Sequence, residues 1–446
     1  MIKNLQLLIV TLSTFTFGLN AQELVLNPSS ITHPVLASNG MVATQHYLAS
    51  EVGEDILSQG GNAYDAAVAV GFALAVVLPR AGNIGGGGFM VMHDAPSNES
   101  YSIDYREKAP LKASRDMYLN EDGSVNSLRS TIGYLAIGVP GSVYGMWEVH
   151  KKFGSMPWEK LLQPAIELAN NGFEMSPYMT MTLNRVHRKL SQFEETESIF
   201  YKDYPIKFNT LLIQTDLAQT LRLIAQNGVA GFYEGEVANK IVSAMEKNGG
   251  LISHRDLKKY RPSWRKPLKS KYRGFDVVTM GPPSSGGIHL IQMLNILENH
   301  NLKSFGHNNP RYVSLLTEVM KYAYADRSEY LGDPDFYKVP VDMLTSKEYS
   351  DAINQSLKLF KFMTPPPTPS SSIEPGEYMR KESIETTHYS IADQYGNIIS
   401  NTYTLNSAYG SGVTIEGTGI LMNNEMDDFS ASPGTPNQFG LLGGEA

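Results

Sequence analysis

Residues 384–393 read IETTHYSIAD, and a connector, TPPPTPSSSIEPGEYMRKESIE (364–385), runs straight into the two threonines. A Thr hydroxyl inside a chain is a weak nucleophile and needs an adjacent base. A cut just before Thr386 supplies one, because the new α-amino group, with an ordinary pKa of about 7.7–8.0, suits proton transfer near neutrality. The cut itself requires the Thr386 hydroxyl to attack the carbonyl of Glu385. Threonine is also β-branched and favours strands on its own account, so the pattern leaves both readings open. TTHYSIAD (386–393) and NIISNTYTLN (397–406) flank a turn at 394–397 and predict a hairpin. Folding it sets Thr404 across from Thr386, Thr387 or His388, with Asn406 close by. A hydroxyl there could orient the nucleophile.

Two further groups could bind charge. Arg106 stands in SIDYREKAP, and MDDF (426–429) follows NNE. An Arg fork holds a carboxylate bidentately and paired acids hold an ammonium, which together match an amino-acid head group. A solvated arginine and a capped turn are the plain alternatives. The glycine run Gly85–Gly88 leads into a strand-like FMVMHD and lacks both the P-loop and the dinucleotide pattern. It predicts a tight turn, or backbone N–H groups facing a substrate. PPSSGG (282–287) lacks hydrolase-elbow spacing and predicts a helix start with serine caps.

The elements that must position these residues are mostly helical up to the connector. GNAYDAAVAVGFALAVVLP (61–79) is apolar all round, with Asn62 as cap, and predicts a buried helix. Helical spacing ending in Asn-Gly recurs at 158–172, 215–228 and 235–250, and Ser253 with Asp256 marks a further start. FDVVTM (275–280) reads as a strand, and 281–299 and 311–331 as helices. Past the connector the pattern turns to β, predicting layered helix and sheet.

The 446-residue chain has a net charge of −8 and no basic stretch, which argues against nucleic-acid binding. Its lack of cysteine excludes disulfides, thiolate zinc sites and a Cys nucleophile. Its ten histidines show no metal-ligand spacing. The N-terminus, MIKNLQLLIVTLSTFTFGLNAQE, has Lys3, an apolar run and Asn20-Ala21, which predicts an export signal over 1–21 and a periplasmic or secreted protein without a stable membrane anchor.

TTHYSIAD, NTYTLNSAYGSG, GILMNNEMDDFSASPGTPNQFG, PPSSGGIHLIQMLNILEN, KYAYADRSEYLGDPDF, GGNAYDAAVAVGFALAVVLP and IGGGGFM, blocks that follow one another along the chain in the family's order, resemble the γ-glutamyltranspeptidases, a family of N-terminal nucleophile hydrolases. The resemblance implies an α+β fold, a four-layer αββα sandwich. It implies self-cleavage at Glu385-Thr386 into a large subunit (22–385) and a small catalytic one beginning at 386. Thr386 matches the nucleophile, Thr404 its hydroxyl partner and Arg106 the carboxylate-binding residue. Asn406, Glu425 and Asp428 match the α-amino pocket. Phe439 falls in the lid segment, where it keeps a ring without a tyrosine's hydroxyl. The implied reaction moves the γ-glutamyl group of glutathione or related compounds to water, amino acids or dipeptides, with no metal or organic cofactor. The sequence stops at Ala446, before the Ser-Ser and Gly-Gly segments the resemblance calls for, so the sandwich is expected to be incomplete. Three other readings stand beside this one: a cephalosporin (glutaryl) acylase, a poly-γ-glutamate transpeptidase, and an inactive γ-glutamyl-peptide binder.

Overall fold

A computed structural model describes residues 35–360, 385–429 and 437–438. The predicted signal, all of the connector but Glu385, and Phe439 lie outside the described residues. The chain divides after Ser38, and every described strand and helix belongs to the unit beginning at Asn39.

Six strands form one sheet: β1 (Gly40–Ala43), β2 (Gly87–Asp94), β3 (Glu99–Asp104), β4 (Ser263–Arg265), β5 (Thr387–Asp393) and β6 (Ile398–Thr404). Their order is β1-β5-β6-β2-β3-β4, antiparallel throughout. The predicted hairpin is therefore β5–β6, and it sits inside the sheet rather than at its edge. Its period-2 pattern sets which face each residue takes. Thr387, Tyr389, Ile391, Ile399, Asn401 and Tyr403 face the core, while His388 and Ser390 lie on the open face.

Helix α1 (Tyr47–Ser58) leads into α2 (Ala63–Val77), in which all 15 residues are buried. The predicted cap is present: Asn62 Oδ1 accepts the N–H groups of Tyr64 and Asp65 at 3.0 and 2.9 Å, and Asp65 accepts that of Asn62 at 3.0 Å. Small residues on α2 let the sheet approach. The hydroxyls of Tyr389 and Tyr403 donate to the carbonyls of Ala67 and Gly71 at 2.9 and 2.8 Å. Helices α3 (Ser142–Phe153) and α4 (Trp158–Asn171) pack against α2, and α5 (Pro177–Leu190) comes next in the chain. The remaining predicted helices are found at Thr215–Asn227, Gly235–Asn248, His254–Lys259, Gly286–Glu298 and Pro310–Tyr330. The strand expected at 275–280 is Phe275–Thr279. The last two of those helices share a second small core, built on Ile296, Leu297 and Val319 with Ile353 and Leu357. Helices on an antiparallel sheet make the fold α+β.

Two local expectations are corrected. Ser285 stands at the start of the 286–298 helix but makes no side-chain cap; Ser284 instead accepts the Gly286 N–H at 3.3 Å. None of Gly85–Gly88 adopts a positive φ. They are glycines because backbone presses on them: a Cβ on Gly86 would lie 2.1 Å from the Thr404 carbonyl oxygen, and one on Gly87 would lie 2.5 Å from that of Tyr105.

Candidate active site

The sheet registers align the site. Thr404 pairs with Gly87 across β6 and β2, Tyr403 pairs with Thr387 across β6 and β5, and Phe89 pairs with Asp104 across β2 and β3. Continuing the last two ladders puts Thr386, Thr404, Gly87 and Arg106 in one row at one end of the sheet. Backbone bonds between Tyr105 and Gly88, at 2.9 and 3.3 Å, carry the β2–β3 ladder that far.

At one end of the row the exposed Thr386 hydroxyl donates to Thr404 Oγ1 at 3.3 Å. Thr404 Oγ1 also accepts the Asn406 N–H at 2.9 Å, which fixes its rotamer. Asn406 adopts φ 75°, a left-handed conformation that asparagine tolerates better than most residues. Its side-chain amide donates to the Asn424 carbonyl at 3.0 Å, and Asn424 Oδ1 accepts the Ser407 N–H at 2.9 Å. The loop after β6 is thereby tied to the segment carrying Glu425 and Asp428, which is a short 3₁₀ turn.

At the other end stands Arg106. Asp104 Oδ1 accepts its N–H at 3.0 Å, Tyr260 donates to its carbonyl at 2.9 Å, and its guanidinium lies 5.7 Å from the centre of the Phe89 ring. Arg106 Nη2 pairs with Asp428 Oδ2 at 2.7 Å and also with Glu425. Glu425 is buried, and the cost of desolvating its charge holds its carboxyl well above the usual range despite Arg106. The three carboxylates at Arg106 hold its guanidinium firmly charged against the desolvation it suffers.

The third of these is Glu107, which sequence reasoning missed. Its side chain is 1% exposed and 3.8 Å from Arg106 Nη1. That contact is too long for a hydrogen bond, and neither carboxylate oxygen takes one from another residue among the described residues. Burial, with the nearby Asp428 and Asp104, pushes its carboxyl up to about 7 against the pull of Arg106. Its place beside Arg106 was in plain view, but nothing in the spacing tells a buried acid from a solvated one. Asn424 was missed likewise, although it lies in the same block as Glu425.

The structure thus brings together Thr386 with Thr404, and Arg106 with Glu425 and Asp428, with Asn406 in the loop between them. Glu385 also belongs here, its carboxylate accepting the Ala408 N–H in that same loop. Among the described residues no cluster of His, Asp and Glu could hold a metal ion, and no helix is long and apolar enough to cross a membrane.

The Gamma-glutamyltranspeptidase family profile matches residues 49–446. The chain is 48% identical over 418 residues to the glutathione hydrolase proenzyme of Escherichia coli K12, covering 93% of this chain and 71% of the relative. The crystal structure of Helicobacter pylori gamma-glutamyltranspeptidase superposes with a TM-score of 0.72 at 44% identity, covering 79% of this chain and 99% of that one. Cephalosporin acylase from Bacillus halodurans gives a TM-score of 0.77 at 26% identity, covering 95% of this chain and 77% of that one. The fold is that of the N-terminal nucleophile hydrolases, enzymes that transfer acyl groups from a residue heading a strand. Within that class the chain belongs to the γ-glutamyltranspeptidase family, and is a hydrolase and acyltransferase that works through a threonine nucleophile.

Proposed function

We propose that Thr386 is that nucleophile, freed by self-cleavage at Glu385-Thr386, and that the enzyme transfers the γ-glutamyl group of glutathione and related compounds to water, amino acids or dipeptides. The observation that carries this is the row itself: a hydroxyl pair at one end and an arginine with acids at the other. In the cut, Thr386 Oγ attacks the Glu385 carbonyl carbon and the C–N bond breaks. The hydroxyl proton ends on the Thr386 nitrogen. Water then hydrolyses the ester, its hydroxyl joining the Glu385 carbonyl carbon and its proton returning to Thr386 Oγ. The new α-amino group is the base that the uncut chain lacks.

In turnover, Thr386 Oγ attacks the γ-glutamyl amide carbon, its proton passes by way of the α-amine to the leaving amine, and Cys-Gly departs from glutathione. Water or an acceptor amine then takes the acyl group. Arg106 and the acids neutralise one another in the free enzyme. A head group bearing both a carboxylate and an ammonium replaces both halves of that pairing at once, which a glutaryl group lacking the ammonium does not. This favours a γ-glutamyl donor over the glutaryl group of an acylase. The cut makes 22–385 the large portion and 386–446 the N-terminal part of the small one, and the predicted N-terminal signal supports a periplasmic or secreted site.

The test is intact mass and N-terminal sequencing of purified protein, followed by hydrolysis of γ-glutamyl-anilide against glutaryl-anilide. A chain beginning Thr386-Thr387-His388 with preference for the γ-glutamyl compound is expected. An uncut Thr386, or faster glutaryl cleavage, overturns the reading.

A further inference from the structure

Resting on the cut at Glu385-Thr386, the geometry points to Lys189 as a positioning residue for self-cleavage, which holds the loop that grips both sides of the scissile bond. The loop is residues 404–410. On the Thr386 side it presents Thr404, whose hydroxyl takes the hydrogen bond from Thr386 at 3.3 Å. On the Glu385 side it presents the Ala408 N–H, which donates to Glu385 Oε2. One short segment therefore sets where the attacking oxygen lies and where the residue carrying the attacked carbonyl lies.

That segment is not stiff by itself. Asn406, Tyr409 and Gly410 all have positive φ, at 75°, 60° and 52°. For tyrosine this is uncommon and must be held by its surroundings. Lys189, in the last turn of α5, supplies a hold. Its Nζ donates to the Ala408 carbonyl at 3.3 Å and to the Gly410 carbonyl at 2.6 Å. Residue 408 is thus clamped on both peptide faces, its carbonyl by Lys189 and its N–H by Glu385. The two clamps also attract each other, since the Glu385 carboxylate favours the charged ammonium that burial disfavours. A buried ammonium spent on loop carbonyls is costly unless those groups need it there. Neither Lys189 nor Ala408 takes part in the pairing of Arg106 with the acids. Removing the clamp lets residue 408 drift, and small misplacements of reacting groups are expensive in rate.

The experiment follows the fraction of cut chain with time in the full-length wild type, K189M, K189R, E385Q and K189M/E385Q. K189M is expected to slow the cut about tenfold or more, with K189R recovering part of the loss. E385Q should slow it too, and the double variant should be no slower than the worse single one, since both act through residue 408. The portion of K189M that matures should lose far less kcat/KM on γ-glutamyl-anilide than K189M loses in the rate of the cut, because Thr404 keeps its own hydrogen bond from the Asn406 N–H and the hold on Glu385 is needed only before the cut. A K189M chain that cuts at the wild-type rate overturns the inference. So do additive losses in the double variant, or a kcat/KM that falls in step with the cut, both of which mark general loosening of the fold. If K189M does not fold, K189R and E385Q decide alone, and two variants cutting at the wild-type rate overturn it. A wild type that never cuts overturns both this inference and the nucleophile reading; a wild type that cuts beside an equally fast K189M overturns this one only.

Discussion

At the scale of single residues, the site is a matter of which charges are exposed to which partners. Arg106 serves as a planar fork, and lysine cannot reproduce its paired donors. R106K is therefore expected to raise KM for γ-glutamyl-anilide about tenfold or more while leaving kcat less affected, as steady-state kinetics can check. Glu107 carries a pH dependence. Its folded carboxyl, pushed up to about 7, keeps a proton that the unfolded chain gives up at the ordinary carboxylate value. Between those two pH values the folded state binds more protons, so stability falls as pH rises through the window. Glu425, also raised by burial, adds to the same slope, while Arg106 opposes it. Denaturant midpoints from pH 5 to 7.5 should fall in the wild type and fall less steeply in E107Q. An unchanged slope in E107Q would remove Glu107 as its source.

At the scale of elements, the strand β2 enters the sheet through glycines that permit close backbone contact. Gly86 accepts the N–H groups of Gly141 and Ser142 at 2.8 and 3.1 Å on its carbonyl, and its own N–H reaches Asn83 Oδ1 at 2.9 Å. Asn83 in turn donates to the Thr404 carbonyl at 2.9 Å. A methyl at 86 would strike that same carbonyl oxygen, at 2.1 Å. Gly86→Ala should cost about 1–3 kcal/mol or more of stability, as overpacking does, and should displace Thr404. Thermal unfolding would register the first effect and the rate of self-cleavage the second. Wild-type behaviour in both would mean that the backbone yields at no cost.

At the scale of the whole molecule, the proposed cut leaves two pieces whose strands alternate in one sheet. β5 and β6, from the later piece, lie between β1 and β2 of the earlier one. Breaking one peptide bond at the head of β5 leaves those ladders intact, so the pieces should stay together. Asp393 adds a further tie across the two. Its Oδ2 accepts the Ala63 N–H at the start of α2 and the Asn397 side-chain amide, both at 2.8 Å. Its Oδ1 accepts the N–H groups of Tyr395 and Asn397 at 2.9 and 3.0 Å. Asp393→Ala leaves the buried Ala63 and Asn397 donors unmatched, at about 1–3 kcal/mol apiece where water cannot reach them. The cut variant should come apart at lower urea than the cut wild type, as size-exclusion chromatography would show. Equal dissociation midpoints would mean that the sheet ladders alone hold the pieces.

The sequence by itself determined the elements. The Asn62 cap and α2, the helices ending in Asn-Gly, and the β5–β6 hairpin with its alternating faces all depend on neighbours a few positions apart, and local spacing is legible in a linear chain. The threonines, Arg106 and the acids were legible as candidate chemistry for the same reason, and their blocks pointed to the family. Tertiary structure alone decided that β5–β6 would lie inside the sheet, which backbone atoms would press on the Gly85–Gly88 run, and that Glu107 would be a buried acid. It also brought Arg106 within reach of Asp428, and Lys189 onto the loop that holds Glu385. These depend on register and desolvation between residues hundreds of positions apart, and neither exists until the chain has folded.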